Sequence, residues 1–376
     1  MHTYGKHADG GRCFLLVCIA KAAKHTYRTE WSGSAVSRRR AHEAYDETDV
    51  RVRPGRGTRP RSKIRPKHED AEPGFVTAVD RGRLTCIVGD EERTVVAMRA
   101  RELGRKGVVV GDRVDLVGDT SGREGALARI VRVHDRVTVL RRTADDDDPV
   151  ERVIVANADQ MVIVTSVTDP EPRPRLIDRC LVAAFDAGLD PLLCLTKADL
   201  ADPSELRAIY TPLGVPTLVS GLDVEPEQLL ARLSGRTSVL VGHSGVGKST
   251  LVNLLVPGAR RATGVVNVVT GRGRHTSASA VALPLPRDGM PGPTGGWIID
   301  TPGIRSFGLA HVDPAHLIHA FPDLDAETAQ CPRGCTHGVT EPECALDDAV
   351  AAGRLDPARV DSFRRLLASR QRQAGD

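Results

Sequence analysis

The segment Gly242–Ser249 reads GHSGVGKS and fits the pattern G-x-x-x-x-G-K-[ST]. It follows an apolar strand-like run, TSVLV, and precedes a helix-like run, STLVNLLV. Strand, glycine loop and helix in that order constrain this chain more than any other feature. The glycines let consecutive backbone N–H groups turn inward around a phosphate, and the helix N-terminus adds a favourable dipole. The segment therefore predicts a nucleotide site. Lys248 is placed to reach the β- and γ-phosphates, and Ser249 to offer a hydroxyl to Mg²⁺. Gly242, His243, Ser244, Gly245, Val246, Gly247 and Thr250 complete the set expected to wrap the phosphates.

Two further motifs belong to the same chemistry. Asp300–Gly303 reads DTPG at the end of the strand-like GWII. A carboxylate there holds magnesium through water, and Gly303 can offer its N–H to a γ-phosphate. Thr196–Asp199 reads TKAD directly after the strand-like PLLCL. Guanine presents N1–H and N2–H₂ side by side, and Asp199 can accept both. Adenine would leave that carboxylate unpaired, at a cost of a few kcal/mol. The stem of Lys197 can cover the base, with Ala198 beside it. Thr196 stands where the usual guanine motif has Asn. Ser220, after the strand-like PTLV, lies where a second loop could close over the base.

The order is unusual, because the base-reading motif precedes the phosphate loop. In a parallel sheet all such loops lie at the carboxyl edge, so the chain can be cut and rejoined elsewhere without moving the site.

Around this core the 376 residues divide into four segments. Residues 1–70 are rich in Arg, Gly, Pro and Ser and predict a basic, mostly disordered extension. Within it, Arg51–Lys67 holds no acidic residue and would attract phosphate backbones. Residues 71–142 carry five β-type runs: GFVTAVD, RLTCIVG, RTVVAMRA, VVVGDRVDLVG and ALARIVRV. They suit a small barrel of the oligonucleotide-binding (OB) type. The acidic Asp145–Asp148 and Pro149 mark the next boundary. Residues 150–310 alternate strands and helices in α/β fashion. Residues 311–376 read as helical and end in a basic helix around Ser362–Gln373.

That last segment holds Cys331-x₃-Cys335-x-His337-x₆-Cys344. Three thiolates and an imidazole suit one tetrahedral Zn²⁺ with no open position, hence a structural site; free thiols or a disulfide are the other readings. Cys13, Cys18, Cys86, Cys180 and Cys194 read as small core or tail residues. The apolar Cys13–Ala20 is short and poorly flanked for a signal peptide. No apolar run reaches about 18 residues, so no membrane span is expected. The expectation is a cytoplasmic monomer.

In motif order and domain order the chain resembles the circularly permuted, ribosome small-subunit-dependent GTPase A family of bacteria. The resemblance covers about residues 40–365. It implies hydrolysis of GTP to GDP, stimulated by the small ribosomal subunit, and a role in late maturation of that subunit and its rRNA. It implies an OB-fold barrel and a zinc domain flanking the GTPase core. It also makes Gly271–Ser277 the first switch, Thr276 a Mg²⁺ ligand and His275 a catalytic residue, since Ile304 after the D-T-P-G motif cannot orient water. A competing reading from a different class is an RNA-binding assembly module whose nucleotide only gates binding. A third is an ATP-dependent kinase or ATPase, which Asp199 disfavours.

Overall fold

The computed structural model describes residues 68–89, 92–103, 107–143, 150–221, 226–256, 259, 280–287, 290–291, 295–302 and 307–370. All of them belong to one compact unit, Lys63–Asp376. The basic segment before residue 68 lies outside the described residues, as do the first switch and Gly303.

Five strands form the N-terminal barrel: β1 (Glu72–Asp80), β2 (Arg83–Val88), β3 (Arg93–Arg99), β4 (Arg113–Gly118) and β5 (Ala128–Val133). Their order is β1-β2-β3-β5-β4, and β4 pairs back onto β1, so the sheet closes. The β3–β5 pair is parallel and the others antiparallel. This is the OB-type barrel expected. Inward positions alternate along the strands and bury Val76, Leu84, Cys86, Val95, Val114, Leu116 and Ile130.

One expected strand is divided. The run VVVGDRVDLVG breaks at Gly111, whose φ is +92° and where a Cβ would collide with the Ala156 carbonyl. Asp112 is fully buried there and accepts from Val109 N at 2.8 Å and from the Arg136 guanidinium at 2.7 and 2.8 Å. Only residues after this turn enter β4.

Next comes a hairpin the strand pattern did not reveal. β6 (Val139–Arg142) pairs antiparallel with β7 (Arg152–Ala156), across the acidic segment. Val110 bridges to Val155, tying the hairpin to the barrel.

The α/β core follows as β8 (Gln160–Ser166), α1 (Pro174–Asp186), β9 (Asp190–Thr196), α2 (Ser204–Tyr210), β10 (Thr217–Val219), α3 (Glu227–Leu233), β11 (Thr237–Val241) and α4 (Lys248–Leu255). Then come β12 (Val281–Pro284), a short ribbon of β13 (Pro286–Arg287) with β14 (Met290–Pro291), and β15 (Trp297–Asp300). The sheet order is β10-β9-β8-β11-β15-β12, parallel except for β12. All seven residues of β8 are buried, as a central parallel strand covered on both faces requires. The barrel and core sheets are continuous through the β1–β12 pair Ala78↔Val281.

One face of the core sheet packs on α3 and α4 through Leu229, Leu233, Leu251, Val252 and Leu255. The other packs on α1 and on the C-terminal segment, and Phe307, Leu309, Phe321, Phe363 and Leu366 belong to that same core. The C-terminal helix Pro357–Arg370 is held by charge as well. Arg365 meets the buried Asp178 at 3.1 Å and lies over the Tyr210 ring. Arg179 donates to the carbonyls of Phe307 and Ser369, both at 2.7 Å. The C-terminal segment therefore shares the GTPase-like core rather than building one of its own.

Candidate active site and metal centre

Because β9, β10, β11 and β15 run parallel, their C-terminal ends lie along one edge. The loop after β11 is the phosphate loop, and Gly242, Gly245 and Gly247 each answer a local demand. A Cβ on Gly242 would strike the Val164 carbonyl, while Gly245 and Gly247 sit at φ +88° and +89°. Gly247 caps α4, so the first N–H groups of that helix open onto the loop. Ser249 and Thr250 are exposed at its start, as are Ser244 and Gly245 at the rim. His243 is half-buried, with Nδ1 2.8 Å from the Ser244 carbonyl oxygen.

Lys248 is buried. Its Nζ donates to Asp300 Oδ1 at 2.5 Å and to the Thr301 carbonyl. Thr301 is in turn fixed by a 2.6 Å bond from its hydroxyl to the Leu240 carbonyl. The end of β15 thus meets the phosphate-loop lysine directly. Ser249 and Asp300 offer hard oxygen donors of the kind Mg²⁺ takes. Gly303, His275 and Thr276, expected to complete this half of the site, lie outside the described residues.

The TKAD loop sits beside the phosphate loop. Thr196 is buried, and its Oγ1 donates to the Val246 carbonyl at 2.5 Å. Lys197 has φ +58° and its Nζ donates to the Asp169 carbonyl, so its stem crosses toward the 166–173 loop. Asp199 is exposed. Ala198 N lies 3.5 Å from the Ser220 carbonyl, and Ser220 N donates to the Leu195 carbonyl at 2.7 Å. Thr196, Lys197, Ala198, Asp199 and Ser220 are therefore neighbours at one strand edge, next to Val246 and Gly247.

Sequence reasoning missed the loop after β8. Ser166 donates to the Pro170 carbonyl at 2.6 Å, and Asp169–Pro170 borders both Lys197 and Gly245. Its signal was the Asp-Pro dipeptide at a strand end, a turn mark. Thr301 was also missed, because its contribution is a backbone carbonyl.

The second site lies between the turn after Thr328–Gln330 and the helix Ala345–Ala351. The donor atoms of Cys331, Cys335, His337 and Cys344 all fall within 4.8 Å of one another. His337 Nδ1 stands 3.6, 3.5 and 3.8 Å from the three Sγ atoms. A tetrahedral ion with Zn–S about 2.3 Å and Zn–N about 2.0–2.1 Å requires S···N near about 3.6 Å, so the cluster fits. Two contacts brace it. Ala345 N donates to Cys331 Sγ at 3.3 Å, and Arg364 links the His337 carbonyl to Asp347. Elsewhere, burial pushes the thiols of Cys86, Cys180 and Cys194 up to about 12. These three are buried and belong to the core, as expected.

Residues 133–310 match the model of a family described as RsgA GTPase. A Gemmatimonas aurantiaca protein named small ribosomal subunit biogenesis GTPase RsgA is 35% identical over 285 residues, covering 73% of this chain and 90% of its own length. The chain belongs to the RsgA GTPase family. A Chlorobaculum parvum relative of the same name is 37% identical, with 79% of this chain and 97% of that one covered. Among solved structures, YjeQ from Thermotoga maritima superposes with a TM-score of 0.59 at 25% identity, over 80% of this chain and 98% of that one. Membership makes the chain a GTPase. The permuted order is also explicit in the fold, since β9 and its TKAD loop precede β11 and the phosphate loop.

Proposed function

We propose that this GTPase binds GTP across the β9, β10, β11 and β15 edge, hydrolyses it to GDP, and acts on the small ribosomal subunit late in its maturation. The observation that carries the reading is the convergence of the TKAD loop and the Asp300 strand end on the phosphate loop, at Thr196–Val246 and Lys248–Asp300. In this reading Asp199 accepts from guanine N1–H and N2–H₂, and the Lys197 stem and Ser220 loop cover the base. The backbone of Gly242–Lys248 holds the β-phosphate, with Lys248 reaching the β- and γ-phosphates. Ser249, Asp300 and Thr276 hold Mg²⁺, which when bound neutralises charge on the phosphates. Gly303 meets the γ-phosphate, and His275 is the catalytic group.

Cys331, Cys335, His337 and Cys344 hold one structural Zn²⁺. The barrel and the basic N-terminal segment contact rRNA. Arg83, Met98 and Arg129 occupy one cross-strand row of the barrel and are exposed. The barrel strands have a single aromatic residue, Phe75, and it packs on Trp297. Contact through charge and shape therefore suits this surface better than base stacking. No described helix is long and apolar enough to cross a membrane. A cytoplasmic monomer is consistent with this role.

The test is GTP turnover with and without purified small subunits, with ATP as competitor. Stimulation by the subunit and preference for GTP are expected. His275→Ala should retain nucleotide and lose most turnover. Turnover indifferent to the subunit, or unchanged in His275→Ala, would remove the corresponding part of the proposal.

A further inference from the structure

Thr143 follows β6 directly and is 1% exposed, so its polar groups need partners inside the protein. Its N–H donates to the Gly308 carbonyl at 3.2 Å, and its Oγ1 accepts from Ala310 N at 3.4 Å. Thr143 and Gly308 form an antiparallel bridge outside the named strands. The same run is held by α1 as well, where Arg179 donates to the Phe307 carbonyl at 2.7 Å. Phe307 and Leu309 are themselves fully buried.

Phe307–Ala310 is the first described stretch after the D-T-P-G motif. On the other side of that motif, β15 pairs with β11 up to Asp300, and the Thr301 hydroxyl donates to the Leu240 carbonyl. The chain that carries Gly303 is therefore fixed at both ends. Ordering a chain against a ligand costs conformational entropy, and a chain tethered at both ends has fewer conformations to lose. GDP has no γ-phosphate for Gly303 to meet, so the saving falls to GTP alone. The hairpin bearing Thr143 is in turn tied to the barrel, by Ala156 N to the Val110 carbonyl at 3.0 Å and Asn157 Nδ2 to the Gly111 carbonyl at 2.9 Å.

We propose that Thr143 is a positioning residue for the γ-phosphate side of the GTP site: with Arg179 it anchors the run that follows the D-T-P-G motif. The anchor sits on a hairpin that the barrel holds, not on a strand of the nucleotide-binding sheet. This deepens the GTP-site reading above and rests on it.

The test compares GDP with the β,γ-imido analogue of GTP in magnesium buffer, on the full-length protein. Thr143→Val keeps the shape and removes the acceptor for Ala310 N. Thr143→Pro removes the donor to Gly308, and Thr143→Ser keeps both groups. Valine and proline should each weaken the imido analogue about fivefold relative to GDP, the lower end of the cost of one unpaired buried group. GDP itself should stay within about twofold, and serine should match the unaltered protein. Either loss alone supports the anchor, and valine decides where proline prevents folding. An analogue-to-GDP ratio that neither variant lowers by more than about twofold would overturn the proposal. So would equal weakening of both nucleotides, the mark of general loosening, or the same loss in Thr143→Ser, which would assign the effect to the methyl group. ADP and its imido analogue separate the underlying reading. Binding as tight as that of the guanine pair would remove the guanine assignment alone, because the ratio reports one added phosphate whatever the base. Binding of neither pair by the unaltered protein would remove the site reading and the proposal with it.

Discussion

Lys248 Nζ lies 2.5 Å from Asp300 Oδ1, so the cation proposed to meet phosphate is held by the carboxylate at the end of the neighbouring strand. Lys248 is almost enclosed, with 9% of its side chain exposed against 33% for Asp300. In the proposed site, nucleotide would draw the ammonium away from this partner and free Asp300 for a metal.

Asp300→Asn removes that competition. Magnesium-free GDP affinity should rise about fivefold, the scale of a partly exposed ion pair. Magnesium-dependent GTP turnover should fall at least about tenfold, because the carboxylate is lost where charge develops. Equilibrium binding with and without Mg²⁺, beside steady-state turnover, separates the two effects. Unchanged magnesium-free affinity would show that the pair does not restrain Lys248.

The metal cluster makes a second prediction. Cys344 is 1% exposed and shares the core that contains Phe321 and Phe363, with Cys331 and Cys335 packed against it. Elemental analysis should give about one zinc per chain. Cys344→Ser should lose the metal and lower Tm by about 10 °C. Because the core is shared, unfolding should remain a single transition; a separate early step on calorimetry would mean that the C-terminal segment folds independently.

Arg365 is the counter-charge of a carboxylate whose side chain is only 4% exposed, Asp178. Burial raises the Asp178 pKa, partly offset by Arg365. Arg365→Ala leaves that charge unpaired and should cost about 3 kcal/mol in urea denaturation. Adding Asp178→Asn should recover part of the loss, and full additivity of the two would exclude the coupling.

A pH effect follows from His311, whose side chain is 4% exposed and whose Nδ1 is buried with no hydrogen-bond partner among the described residues. Asp186, Glu151, Arg141 and Arg370 surround it, and burial is the largest influence, lowering its pKa. A histidine with a lowered folded pKa stabilises fully above its unfolded pKa of about 6.5 and loses that contribution as pH falls below it. Burial raises the pKa of Asp186, whose contribution is present at low pH and is lost as pH rises through its folded value. Midpoints in urea should fall between pH 7 and pH 5.5, and His311→Gln should flatten that slope. An unchanged slope would assign the acid sensitivity elsewhere.

The sequence by itself determined the local parts. The GHSGVGKS, DTPG and TKAD motifs each sit at a strand end in the structure wherever they are described, because short-range glycine, strand and helix signals encode those turns. The permuted order and the five barrel strands were legible for the same reason. The divided strand at Gly111 was not, since the collision that demands glycine comes from Ala156, 45 residues away. Nor was the β6–β7 hairpin, whose pairing spans an acidic run that reads as a boundary. Only the tertiary structure decided how the loops meet. Sequence spacing placed Thr196 with the base and Lys248 with the phosphates. The sheet order β9-β8-β11-β15 brought the loops together and gave Thr196 the Val246 carbonyl and Lys248 the Asp300 carboxylate. Those partners are distant in sequence, and no local pattern records which carbonyl a single hydroxyl proton will find.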